Sequence, residues 1–235
     1  MSDLLNSYFA GSPLPEFDAE QAAEAQRKVA AGVFEIRFPD PGQPAGAPLG
    51  RESIMGSRTF GPDGLPTGEE WRNAHFIPHP ETAGTEVTNA FELDLWRVTK
   101  GFARGASLIS ALLKDVTLTV SAHESGELRL FDQQNGMKAL HVFSSPRRHP
   151  ADLVRAVPIT GTQLVEVFGH DQELQIVFNP ASAPTFTANA TLFGALLAGY
   201  LDLIERHAAR QAPTTTTPTA AGTIAAPEVP SGAQA

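Results

Sequence analysis

LRLFDQQNGMKALHVFSSPRRHPADLVRAVPITGTQLVEVFGHDQELQIVFNPASAPTF, residues 128–186, is the stretch that decides the fold. Leu128, Leu130 and Phe131 form a short alternating run, and Ala139 to Phe143 form its return arm. Between them Asn135-Gly136 reads as a hairpin turn of type I′, which needs positive φ at both central residues. Ser144 or Ser145 reads as a helix cap with Pro146 in the first turn, opening a helix over 147–154. Leu164, Val165 and Phe168 have helical spacing, with Gly169 as the expected C-cap. Leu174 to Phe178 is short and apolar, which favours a buried strand. Asn179-Pro180 stops it, because proline has no N–H for a ladder and restricts its predecessor.

Working outward, VTLTVSA at 116–122 alternates cleanly, with Val116, Leu118 and Val120 facing a core. His123 to Gly126 makes the turn into the central hairpin. Residues 85–114 carry the strongest long helical signal, including Leu95, Val98, Phe102, Leu108 and Leu112. Gly101 and Gly105 mark a break or close contact between two helices. Pro184 to Thr187 reads as one more short strand. Residues 189–210 read as a closing core helix, with Leu192, Phe193, Leu196, Leu197, Tyr200, Leu201 and Ile204 on one stripe. The expected fold is α+β: a single α/β domain with an antiparallel-rich sheet of roughly four to five strands, flanked by helices.

The ends read differently. Leu4, Leu5, Tyr8 and Phe9 could form a short helix. Asp18 is a good N-cap for the alanine-rich segment up to Gly32, with Gln21 completing a capping-box-like pair. Its weak apolar face fits a peripheral helix or a docking helix for a partner. Val33, Phe34, Ile36 and Phe38 make one candidate strand. Pro39 to Pro80 holds eight prolines and no visible periodicity, so it reads as an irregular arm anchored by Trp71, Phe76 and Ile77. The Thr/Pro/Ala-rich tail cannot bury a core and is expected to be disordered. The organisation is therefore 1–84 helix and Pro/Gly-rich arm, 85–210 α/β domain, and 211–235 tail.

The 235 residues are 42% hydrophobic, enough for a sizeable core. The net charge of −9 argues against nucleic acid or an anionic membrane surface as a partner. With no cysteine, thiol catalysis, zinc–thiolate sites and disulfides are excluded, and a cytoplasmic location fits. The N-terminus lacks the pattern of a secretory signal, and no run reaches the roughly 18 apolar residues of a membrane span.

No catalytic, cofactor or metal constellation is expected. G-x-S-x-G, P-loop, G-x-G-x-x-G and H-E-x-x-H motifs are missing from the sequence. His75 and His79 have i, i+4 spacing, but Pro78 and Pro80 oppose the helix that spacing would need, so they read as surface histidines. The candidate for an anion or partner contact is Arg147, Arg148 and His149 beside a helix start. Both arginines are expected to be exposed and to matter little for stability; the alternative is internal pairing, with Asp152 or Glu166 as partners.

The hairpin arm ALHVFSSPRR, then AVPITGTQLVEVF, LQIVFNPAS and an apolar closing helix resemble the N-terminal domain of the SseB (enhanced serine sensitivity protein B) family, over about residues 91–200. The resemblance implies a compact α/β domain, usually bacterial, of poorly defined role and without established catalytic residues. Two functions are open: a non-enzymatic protein-interaction or adaptor module, or a small-ligand protein or enzyme tied to serine or sulfur metabolism.

Overall fold

The computed structural model describes residues 14–15, 19–44, 46–114, 116–170 and 173–211. The expectations for residues 4–9, Asp18 and the tail after Gln211 lie outside them. The fold is α+β, with two sheets and six α-helices among the described residues.

The larger sheet has six strands. They are β4 (Thr117–Ala122), β5 (Leu130–Asp132), β6 (Lys138–Phe143), β7 (Arg155–Thr160), β8 (Leu174–Phe178) and β9 (Phe186–Asn189). Their order is β7-β4-β6-β8-β9, with β5 also paired to β6. All pairings are antiparallel except β6 with β8. A parallel pair needs a long crossover. Here β7 and α5 (Gly161–His170) lie within it.

The other five helices are α1 (Ala19–Ala30), α2 (Pro80–Ala83), α3 (Ala90–Thr99), α4 (Gly105–Leu112) and α6 (Ala190–Gln211). The expected break between α3 and α4 is present, and Gly101 there has φ 76°. Leu118, Val120, Leu140, Val142, Ile176 and Phe178 bury one sheet face against Leu95, Leu108, Leu112, Leu164, Leu192 and Leu196 of the helices. Burying each such side chain contributes about 1.5–3 kcal/mol.

Gly161 sits where β7 turns directly into α5. A β-carbon there would meet the Leu112 carbonyl oxygen at 1.8 Å, so α4 and α5 approach closely only because the residue is glycine. Gly161→Ala is expected to destabilise by about 1–3 kcal/mol, as overpacking does. A urea unfolding midpoint unchanged from the parent would refute this.

Four expectations about the elements and their extents are corrected. The stretch read as an irregular arm carries β2 (Ile54–Phe60) and β3 (Pro66–Arg72), which join β1 (Glu35–Pro39) in a three-stranded antiparallel sheet. Its strands alternate poorly because β3 is mostly exposed and β2 is bulged opposite Phe38-Pro39. Second, residues 147–154 form no α-helix; only a 3₁₀ turn spans Pro146–Arg148. Third, α6 is a core helix only in its first half. At about 1.5 Å per residue it outruns the sheet, and every residue from Leu201 to Arg210 is exposed. Fourth, α5 runs past Gly169 to His170.

The hairpin at Asn135-Gly136 forms, but not as type I′. Gly136 has φ 80°, whereas Asn135 is not among the residues with positive φ. Gly136 N–H donates to Gln133 O at 3.0 Å and Gln133 N–H to Met137 O at 2.9 Å. This is a three-residue loop: a type I turn followed by a left-handed glycine. The same bonds recur at Gly61–Leu65 and His123–Glu127, closed by Gly64 (φ 76°) and Gly126 (φ 93°). One turn chemistry, with Asp63, Ser125 or Asn135 before the glycine, thus builds three connections.

The small sheet packs on the outer side of α3. Met55, Phe76, Trp96 and Phe102 form this second core, with the Trp96 and Phe102 rings stacked at 5.3 Å. Of the three expected anchors, Phe76 is fully buried, but Trp71 and Ile77 are 45% and 43% exposed. Helix α1 seals the sheet through Ala25 and Val29 against Phe60. No helix of the described residues is long and apolar enough to cross a membrane.

Candidate functional site

The carboxyl ends of the parallel strands β6 and β8 lie side by side, the place where open α/β sheets often hold ligands. Ser144 follows β6 and Asn179 follows β8. Helix α3 brings its first turn to the same place. Asn89 caps it, accepting the Glu92 N–H at 2.9 Å, and the Glu92 carboxylate reaches back to the Thr88 N–H at 2.9 Å. The Asn89 half is that of a capping box, Asn-x-x-Glu, while the Glu92 half is displaced by one residue onto the N–H before the cap.

Glu92 is fully buried. Its carboxylate receives Arg148 in a fork: Nε to Oε1 at 3.0 Å and Nη2 to Oε2 at 2.7 Å. Ser144 Oγ donates to Oε1 at 2.7 Å, and Ser145 Oγ at 3.0 Å. Burial pushes the Glu92 carboxyl up, but the bonds from Arg148, Ser144 and Thr88 outweigh it and hold it at about 2. The rest of the Arg148 guanidinium donates to Thr85 Oγ1 at 2.9 Å and to Glu86 O at 2.6 Å. Asn179 closes the cluster, accepting from Ser144 N–H at 3.0 Å and donating to Pro184 O at 3.0 Å.

The three residues singled out from the sequence have different fates. Arg148 is 7% exposed and committed to Glu92. Arg147 is exposed and pairs with Glu86 at 2.6 Å, both side chains about two-thirds exposed. His149 turns to the outward face of the large sheet. There its Nε2 lies 2.8 Å from Thr119 Oγ1, and its ring meets Phe143 edge-on at 5.1 Å. Burial lowers the His149 imidazole below its ordinary range. The arginine partners are therefore Glu92 and Glu86, not Asp152 or Glu166. Arg147→Ala is expected to change stability by less than about 1 kcal/mol, as an exposed pair should. A larger loss in thermal unfolding would show Arg147 to be part of the buried network.

Sequence reasoning missed Glu92, Asn89, Ser144 and Asn179 as one unit. The signal available was Asn89-x-x-Glu92 ahead of an apolar run.

A second buried carboxylate is equally internal. Asp40 accepts from Gly42 N–H at 2.9 Å, His79 N–H at 2.6 Å and the Thr82 hydroxyl. His79 itself caps α2 through Nδ1. Among the described residues, no group of three or more His, Asp or Glu is arranged to hold a metal ion. A cavity of about 480 Å³ lies away from both carboxylates, along Leu128, Val157, Gln163 and Val167.

Comparison with protein-family models, curated proteins and solved structures finds no match.

Proposed function

We propose that this chain is a non-enzymatic, SseB-like protein-interaction module. One contrast carries the reading. The charged cluster at the ends of β6 and β8 and the Asp40 carboxylate are turned inward and satisfied, while large apolar side chains stand on the outside. Glu92, Arg148, Asn179 and Asp40 are buried and hydrogen-bonded. Leu49, Leu65, Val154 and Trp71 are 61%, 55%, 55% and 45% exposed. Exposed aromatic and aliphatic groups, when clustered, are what partner proteins cover. A carboxylate held at about 2 and locked to a guanidinium is poorly suited to take up a proton near neutrality.

The SseB-like part of the proposal is supported by where its motif pieces lie. The SSPRR and NPAS elements are remote in sequence, yet Ser144 and Arg148 of the first and Asn179 of the second share one network. The acidic charge and lack of cysteine fit a bacterial cytoplasmic protein whose partner is another protein rather than nucleic acid.

Two measurements on the full chain test the function. Chemical cross-linking in the source cells, followed by quantitative co-purification, is expected to yield a stoichiometric protein partner. Thermal-shift screening with serine, its derivatives and sulfur metabolites is expected to leave Tm unchanged. A saturable rise in Tm with such a metabolite, and no stoichiometric partner, would overturn the proposal in favour of a ligand protein or enzyme.

A further inference from the structure

The helices leave one corner of the large sheet's core face uncovered. Val120 of β4 stands opposite Val157 of β7, and Leu128 bridges to Ala122 at the end of β4. Residues opposite one another share a face, so Val157 and Leu128 lie on the same side of the sheet as the fully buried Val120. Yet Leu128 is 39% exposed, and Val157 is only partly buried. The cause is the placement of α5. It starts directly after β7 at Gly161, and its Gln163, Glu166 and Val167 form a wall beside this corner instead of a roof over it. Between that wall and Leu128 lies the cavity of about 480 Å³, with Val120, Val157 and Ile159 in its lining.

Three properties decide what fits there. First, the floor is made of core-facing aliphatic side chains that reach solvent at this corner. Second, the charged group lining the cleft is a carboxylate, Glu166, which makes no ion pair among the described residues. The turn that leads into Leu128 adds Glu124 and Glu127. The guanidinium groups nearby are engaged elsewhere. Arg155, one row along on β7, donates to Glu124 O at 2.8 Å, and Arg129 lies over the Phe131 ring at 4.8 Å. Third, the Gln163 carbonyl accepts the Thr160 N–H at 2.9 Å, which leaves its amide protons as donors at the cleft.

An aliphatic floor selects for an apolar side chain, an unpaired carboxylate for a cation, and an amide donor for a carbonyl. A peptide supplies all three within adjacent residues. The cleft is open along Leu128, so it gives a small molecule little of the enclosure that ligand pockets provide. We propose that the cleft between α5 and the β4–β7 corner binds a basic, apolar peptide segment of a partner protein, with an aliphatic side chain on Val157 and Leu128 and a lysine ammonium on Glu166. The inference rests on the interaction-module reading and names its surface.

The test titrates the full chain, isotopically labelled for amide NMR, with the synthetic peptide acetyl-Ala-Leu-Lys-Leu-Ala-amide. Saturable shifts are expected at the amides of Val157, Gln163, Glu166 and Val167, weakening as salt is raised. Glu166→Gln should weaken binding about threefold, as loss of a partly solvated ion pair does, and leave Tm unchanged because its side chain is exposed. The glutamate counterpart, acetyl-Ala-Leu-Glu-Leu-Ala-amide, should not saturate these amides. The inference is overturned by no saturable shift, by shifts confined to another surface, by equal binding of the glutamate peptide, or by unchanged affinity in Glu166→Gln. It is also overturned if butylammonium saturates the cleft and the peptide does not, which would make it a small-cation site. If a co-purifying partner binds Glu166→Lys as well as the parent, the surface is wrong and the interaction module stands.

Discussion

Arg148→Ala is expected to destabilise the protein by about 3–5 kcal/mol, a large share of the stability of an ordinary domain. The reason is what remains. Glu92 is fully buried, and removing the guanidinium leaves its carboxylate charged in the interior without its fork. The same change orphans Glu86 O, which now accepts from Arg148. Replacing both partners by apolar residues of similar volume, Glu92→Leu with Arg148→Met, should recover much of the loss, since no buried charge is then left unpaired. Urea unfolding of the two single variants and the double variant measures the coupling directly. A single-variant loss below about 1 kcal/mol would mean that the pair behaves as a solvated surface bridge.

The pH dependence follows with a definite sign. The Glu92 carboxyl is held at about 2, below its ordinary 4.5. A depressed carboxyl contributes stability that is fully present above its unfolded value and is lost as pH falls through its folded one. Tm of the parent should therefore decline between about pH 4.5 and 2 by an amount that Arg148→Ala does not show. In that variant the largest influence opposing burial is gone and only the bonds from the serines and Thr88 remain, so the Glu92 carboxyl lies higher than in the parent and protonation relieves the buried charge. The gap in Tm between parent and variant should narrow as the solution is acidified. A constant gap from pH 7 to pH 2 would refute the assignment.

Much of the large sheet was legible because its strands are buried on one face. VTLTVSA and LQIVF carry that burial as alternation or an apolar run, and both form strands. The closing helix and the α3–α4 break were legible for the same reason, since their apolar spacing records the core they face. The small sheet was not. Strand β3, PTGEEWR, buries none of its residues fully, and β2 carries a bulge, so neither writes a period of two into the sequence. The remaining clue was turn chemistry. Pro62-Asp63-Gly64 makes the same loop as Gln134-Asn135-Gly136, and only the second was read as a hairpin.

The site was legible only in part, for a geometric reason. SSPRR announces two adjacent arginines, but adjacency does not tell which one is buried. On a 3₁₀ turn successive side chains point about 120° apart. That rotation sends Arg148 inward to Glu92 and leaves Arg147 outside on Glu86. Glu92 is 56 residues away in sequence, and nothing local links the two. Only the Asn89-x-x-Glu92 helix start marked Glu92 as a committed side chain rather than a solvated one.

Asn179→Ala is the second large effect, expected at about 2–4 kcal/mol from its orphaned partners and its backbone. Asn179 is fully buried and has φ 50°, the left-handed region that asparagine tolerates better than alanine. Its N–H extends the β6–β8 pairing by donating to Val142 O at 2.8 Å. Its side chain holds the Ser144 N–H and the Pro184 carbonyl. Ser144 Oγ has a single proton to share between Glu92 at 2.7 Å and Asn179 at 3.0 Å, so the backbone N–H is the bond Asn179 keeps alone. Alanine would leave that N–H and the Pro184 oxygen buried without partners. Asn179→Gly separates the causes, because glycine adopts the left-handed conformation freely but supplies no side-chain bonds. The glycine variant should fall between parent and alanine in urea unfolding, and the Ser144 amide should exchange faster with solvent in both. Full stability in Asn179→Gly would reduce the role of Asn179 to its backbone. The Ser144 contact would then not be what joins the ends of β6 and β8.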